Sequence, residues 1–240
     1  PEQLAEHRTG ELDAALDALG VQDHLFLDEV AGTGRGVDSG MAWGADGRAT
    51  AGAEVSAAAF ALADVDVAAA ALAQVLRARQ PVVVVGYEPH GGYGHPDHVQ
   101  AHRVMMRAVE LLSEPGDSVR CVLWAALDAD ATSEGRRTCA EDLPPGLRAS
   151  AGGALPTAAV PTAAVGLRVE VGPVLGAVVA AMRAHATQVQ AVAEVGRDGV
   201  AARFALSGGI VEPLLATEVY QVAAGWRADA VPWPPGVRVP

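Results

Sequence analysis

Residues 81–87 read P-V-V-V-V-G-Y, a run of β-branched side chains with no polar alternation. A strand with one wet face alternates apolar and polar residues, so this run predicts a strand buried on both faces, as in a parallel sheet. The next segment, E-P-H-G-G-Y-G-H-P-D-H at 88–98, cannot continue it, and Pro96 suits the first position of a helix predicted over 96–112. A second strand is predicted over 119–126. Upstream, Leu4, Leu12, Leu16 and Leu19 share one face of a helix over 1–19 that Gly20 stops. A short strand at 24–27, a long glycine-rich loop over 29–52 and an apolar helix over 54–79 follow. Downstream come a strand at 167–171, a helix at 173–186, a strand at 200–206 and mixed strand and turn over 210–223. This alternation predicts an α/β fold with a Rossmann-like, mostly parallel sheet flanked by helices.

A chain of 240 residues, half of them hydrophobic, is enough for one large domain spanning 1–240. Within it, 128–166 is a composition break with four prolines and a tandem P-T-A-A-V at 156–160 and 161–165, which predicts a low-complexity surface excursion. W-P-P at 233–235 predicts a loose tail over 227–240. Seventeen basic against 29 acidic residues give a net charge of −12, which disfavours nucleic acid or an anionic membrane as partner. No apolar run reaches the roughly 18–20 residues that cross a bilayer. Two cysteines are too few for a disulfide framework, so a reduced, cytoplasmic setting is expected.

The chemistry concentrates just past the 81–87 strand, where open α/β sheets bind ligands. Glu88, His90, Tyr93, His95, Asp97, His98 and His102 all fall there, and four of the seven histidines lie within 13 positions. Neutral imidazole is the commonest metal ligand and the usual acid or base near neutral pH. His98 and His102 stand one helical turn apart, as in H-E-x-x-H, but Val99 replaces the glutamate of that motif. Bland readings stand beside the functional ones. His102 reads as a half-buried polar residue, Asp38 and Ser39 as turn formers, Met41 as packing, Arg8 as a solvated charge and Cys121 as a small buried hydrophobe.

G-G-Y-G-H-P-D-H at 91–98 resembles a motif of the LmbE-like (PIG-L-type) zinc de-N-acetylases. The likeness extends to E-H-R-T-G-E-L at 6–12, A-L-G-V at 18–21, V-D-S-G-M-A at 37–42 and A-H-A-T-Q-V at 184–189, in the family's order. Within the family it is greatest to members that deacetylate N-acetylglucosaminyl-inositol in mycothiol biosynthesis. The resemblance implies an amide hydrolase acting on that small amino-sugar inositol, with one Zn2+ per chain, iron being equally compatible with the ligand types. It implies that His98 ligates the metal and that His95 stabilises the tetrahedral intermediate or protonates the leaving amine. Asp97 would orient or polarise His95, and Tyr93 would bind the oxyanion. Arg8, Asp38 and Met41 would surround the sugar and inositol hydroxyls.

The chain departs from the family pattern in one place. The family's other two metal ligands and its general base lie in an A-H-P-D-D-E motif after its first strand, and no H-P-D-D run occurs here. The fold is therefore expected to lack that first strand and its loop, a βα unit on the order of 30 residues. Three explanations stay open: a fragment, a truncated product, or a different metal site completed by His102, His90 or Glu88. Two rival functions stay open with them. One is a mycothiol S-conjugate amidase, whose related motif has proline where this chain has Gly94. The other is a non-catalytic sugar-binding remnant.

Overall fold

The computed structural model describes residues 2–33, 36–44, 49–52, 55–112, 116–150 and 155–240. In chain order its elements are α1 (Glu2–Leu19), α2 (Leu27–Ala31), β1 (Met41–Trp43), β2 (Ala49–Ala51), α3 (Val65–Arg79), β3 (Val83–Tyr87), α4 (Gly91–Gly94), α5 (Pro96–Glu110) and β4 (Cys121–Asp128). There follow α6 (Ala129–Ala140), β5 (Arg148–Ala149), β6 (Ala159–Val160), β7 (Leu167–Glu170), α7 (Leu175–Ala184), β8 (Val189–Arg197), β9 (Val200–Leu206), β10 (Ile210–Leu215), β11 (Thr217–Val222) and β12 (Val237–Arg238). This is a mixed α/β fold, a central sheet flanked by helices. Among the described residues no helix is long and apolar enough to cross a membrane.

The chain divides into two compact units. One comprises Leu25–Leu127, Pro156–Arg168 and Val219–Pro240. Its sheet runs β12-β7-β11-β4-β3, with β6 beside β4. β3 pairs with β4 in parallel, from Val83 opposite Cys121 to Tyr87 opposite Ala125, and β11 pairs antiparallel on the other side of β4. β4 is the buried centre, with Cys121, Val122 and Leu123 at most 1% exposed. Helices α3 and α5 pack together through small and branched residues, among them Ala69, Ala73, Leu76, Val104, Met105, Ala108 and Val109. Each larger side chain in this cluster contributes about 1.5–3 kcal/mol by burial.

β3 differs from the prediction. Among the described residues it is the edge strand of its sheet, and Val85 is 54% exposed, because β4 covers only one of its sides. The helix predicted over 54–79 begins at Val65, where the Asp64 carboxylate accepts hydrogen bonds from the backbone N–H of Asp66 (2.9 Å) and Val67 (3.1 Å); residue 54 lies outside the described residues. The predicted strand at 24–27 does not form. Phe26 is extended, but α2 starts at Leu27 and ends on Gly32 in the left-handed region. The loop predicted over 29–52 carries α2 and the antiparallel pair β1–β2, with Met41 opposite Ala51. The two P-T-A-A-V copies do different things: Ala158 N–H donates to the Gly92 carbonyl, whereas 162–164 form a 3-10 turn. Near the C-terminus, the Trp233 indole N–H donates to the Ala228 carbonyl (2.8 Å) and β12 joins the sheet beside β7.

The other unit comprises Pro1–His24, Asp128–Leu155 and Val169–Glu218. Its sheet runs β5-β10-β9-β8, with β10 and β8 antiparallel to β9 and β5 parallel to β10. Helix α1 packs on α7 and α6 on β10. Arg136 of α6 meets Glu212 of β10 in a two-pronged ion pair, Nε to Oε2 at 2.8 Å and a terminal nitrogen to Oε1 at 2.6 Å. Glu11, 6% exposed, accepts from both the N–H and the hydroxyl of Thr187 at 2.7 Å. That contact joins the E-H-R-T-G-E-L and A-H-A-T-Q-V segments.

Candidate active site

The site grows from the turn between β3 and α5. Glu88, 4% exposed, folds back under it, its carboxylate accepting from the N–H of His90 (2.7 Å), the N–H of Gly92 (2.7 Å) and the Thr157 hydroxyl (3.2 Å). The same hydroxyl lies 2.8 Å from the Gly92 carbonyl, so one proton is shared between two acceptors. At Gly91 (φ +70) a Cβ would stand 2.8 Å from the His98 Cβ and the Val99 nitrogen. At Gly94 (φ +98) it would stand 2.6 Å from the Ala49 carbonyl oxygen. Glycine is therefore required at both positions by conformation and by space.

This turn delivers a set of rings. His98 stacks on Tyr87 (centroids 4.1 Å apart, 7° between planes) and on His95 (4.7 Å, 26°). Tyr93 stands edge-on to His98 at 5.2 Å and is itself stacked on Trp43 of β1 at 5.5 Å. The Gly91 carbonyl can only accept, so the His98 Nδ1 (3.1 Å away) donates to it and the lone pair of the neutral ring lies on Nε2. Burial, then neighbouring His95, lowers the His98 pKa and keeps that lone pair free. His95 caps α5, its Nδ1 accepting from the Asp97 N–H (3.2 Å), which assigns the proton of the neutral ring to Nε2. Burial, with Tyr87 and Asp38 nearby, pushes the Tyr93 phenol up to about 12.

The structure brings Asp38, Tyr93, His95, Asp97 and His98 together. Asp38, His95 and Asp97 each offer a ligand atom within 4.8 Å of the others, close enough to share a cation. Met41, half-buried, lies on β1 two residues before Trp43. Arg8, also half-buried, lies on α1 in the other unit. The Asp97 carboxylate, expected on His95, instead accepts from Ser39 through both its N–H (3.0 Å) and its hydroxyl. His102 donates through Nδ1 to the Tyr87 carbonyl (2.8 Å) and stands edge-on to Trp124, a packing role. Both Glu88 oxygens are occupied by protein donors. Residue patterns did not single out Trp43, Thr157 or the role of Ser39, because each acts through a partner distant in sequence.

The model for the family described as PIG-L, GlcNAc-PI de-N-acetylase, matches residues 1–109. A Nocardia farcinica protein named 1D-myo-inositol 2-acetamido-2-deoxy-alpha-D-glucopyranoside deacetylase is 42% identical over 239 residues, covering 96% of this chain and 74% of its own length. The chain belongs to the PIG-L de-N-acetylase family. Proteins of the same name from Kineococcus radiotolerans (41% identical) and Streptomyces griseus (40%) match 94% and 92% of the chain. The chain spans 63% and 65% of their respective lengths. In this PIG-L family chain, the motif segment at 91–98 supplies Tyr93, His95 and His98 of the ring cluster.

Proposed function

We propose that this chain carries out hydrolysis of the acetamido group of N-acetylglucosaminyl-inositol, releasing acetate and a free amine, with zinc as cofactor. The observation that carries the reading is the pair of opposed imidazoles beside Tyr93. His98 offers a bare Nε2, and its ring is anchored by a carbonyl, the usual outer arrangement of a metal-bound histidine. His95 offers Nε2–H, a donor. The ligand types fit zinc, because a neutral imidazole with the Asp97 and Asp38 carboxylates nearby suits that ion, and His98 would hold it. When bound, zinc lowers the pKa of a coordinated water to about 7 and polarises an amide carbonyl.

Two further side chains of the site act on the substrate. A phenol with a pKa near 12 stays protonated at neutral pH, so Tyr93 donates to the carbonyl oxygen as negative charge develops there. His95 stands edge-on to Tyr93 and donates a hydrogen bond through Nε2–H to the charge that develops on the tetrahedral intermediate. Asp38 and Met41 line the side from which the sugar and inositol hydroxyls approach. The names of the relatives support the deacetylase reading. So does Gly94, whose φ of +98 is closed to the proline of the amidase motif.

The test measures bound zinc per chain and acetate release from N-acetylglucosaminyl-inositol. His98→Ala should lower both. His95→Ala should keep the zinc and lose turnover by about 100-fold, the scale of a lost donor to the developing charge. Zinc retained in His98→Ala and lost in His95→Ala would overturn these roles and move the ion to the Asp38–His95–Asp97 group.

A further inference from the structure

We infer that Ser39 is a positioning residue that locks the 37–41 loop to the head of α5 through the Asp97 carboxylate. The inference rests on the proposed function for its substrate and on geometry for the lock itself. Ser39 is 3% exposed, while its neighbours Asp38 and Gly40 are exposed. A serine in a glycine-rich loop ordinarily faces water, and a buried hydroxyl requires partners. Ser39 has three. Its N–H donates to Asp97 Oδ2 (3.0 Å), its hydroxyl donates to Asp97 Oδ1, and the same oxygen accepts from the Ala61 N–H (3.0 Å). One residue thus ties together a loop, the 3-10 turn at Phe60–Leu62 and a helix start 58 residues away.

The two ends of this link are functional. Asp97 reaches His95 through its backbone N–H and Ser39 through its carboxylate. On the other side, Ser39 is bonded in sequence to Asp38, whose own carboxylate is turned back onto the Gly40 N–H (2.7 Å), and the strand bearing Met41 and Trp43 follows. The loop is fastened once more at Val37, which bridges to Ala59. Between that bridge and β1, Ser39 anchors the loop next to Asp38. The lock therefore holds the sugar-recognising loop in register with the imidazoles. It governs how well substrate binds more than how fast bound substrate reacts.

The test compares Ser39→Ala, Asp97→Asn and the double variant in the unliganded protein and with N-acetylglucosaminyl-inositol. Amide exchange over 37–42 should accelerate in both single variants while the interior of α5 stays protected. In Ser39→Ala, KM should rise about tenfold or more, the consequence of losing one hydrogen bond to a charged group, with kcat held within about threefold. The double variant should cost less than the sum of the single ones, since both weaken the bond between the Ser39 hydroxyl and the Asp97 carboxylate. Unchanged exchange over 37–42 overturns the lock whatever the substrate. Faster exchange with an unmoved KM overturns the positioning role. Effects of Ser39→Ala and Asp97→Asn on exchange over 37–42 that add in full overturn the link between the two side chains. If the unaltered protein neither binds nor hydrolyses this substrate, the proposed function fails, and the exchange pattern alone still upholds or overturns the lock.

Discussion

Replacing Glu88 by glutamine probes the turn on which every ring of the site depends. The carboxylate is 4% exposed, and each of its contacts is with a donor: two backbone N–H groups at 2.7 Å and the Thr157 hydroxyl at 3.2 Å. Glutamine keeps the shape but puts an NH2 where one oxygen stood, so whichever way the amide turns, the N–H of His90 or of Gly92 faces another donor. Losing that bond costs about 1.5–3 kcal/mol, and the surviving bond, now to a neutral acceptor, weakens by about 1 kcal/mol. Thr157 recovers about 1 kcal/mol if it accepts from the new NH2 while still donating to Gly92. The net destabilisation is about 1.5–3 kcal/mol, or about 3–12 °C in melting temperature for a chain of this size. Urea unfolding reads the loss as a lower midpoint at constant slope, and amide exchange at His90 and Gly92 localises it. A midpoint within experimental error of the unaltered protein, with both amides still protected, would refute the idea that this carboxylate holds the turn.

Two further outcomes are expected. Gly94→Ala should cost about 2 kcal/mol or more in urea unfolding, because a left-handed backbone is strained for alanine and the new methyl meets the Ala49 carbonyl at 2.6 Å; a neutral effect would mean that β2 does not press on the turn. Burial raises the pKa of Glu11, but the hydroxyl and N–H of Thr187, with His7 and His185 nearby, outweigh it and leave the carboxyl below its ordinary 4.5. A depressed folded-state value gives stability that is complete above the unfolded-state value and is lost as pH falls through the folded one. Glu11→Gln should therefore melt lower by about 1–2 kcal/mol near neutral pH, with the gap closing in acid, and a gap that persists there would refute the assignment.

Much of the site was legible because local chemistry wrote it locally. The valine run announced β3, Pro96 announced the start of α5, and the spacing of Tyr93, His95 and His98 around glycines put three rings on one turn. Other elements carried no local signal. Helix α6 buries Thr132, Gly135, Thr138 and Cys139, a face too small and polar to register as an apolar stripe. Strand β8 carries a positive φ at Ala191 and shifts register against β9, so no alternation survives in it. The edge position of β3 was equally hidden, since an apolar strand reads the same whether one side or both are covered.

By itself, the amino-acid order determined which functional groups exist and which share a turn, because backbone preferences and helix phase act over a few residues. Tertiary structure alone decided that Glu88 and Thr157 brace Gly92, that Trp43 lies on Tyr93, and that the Asp97 carboxylate grips Ser39 instead of His95. A hydrogen bond spanning 58 or 69 residues leaves no periodicity to read. It forms because folding buries a donor and an acceptor together, where leaving either unpaired would cost more than ordering the loop that joins them.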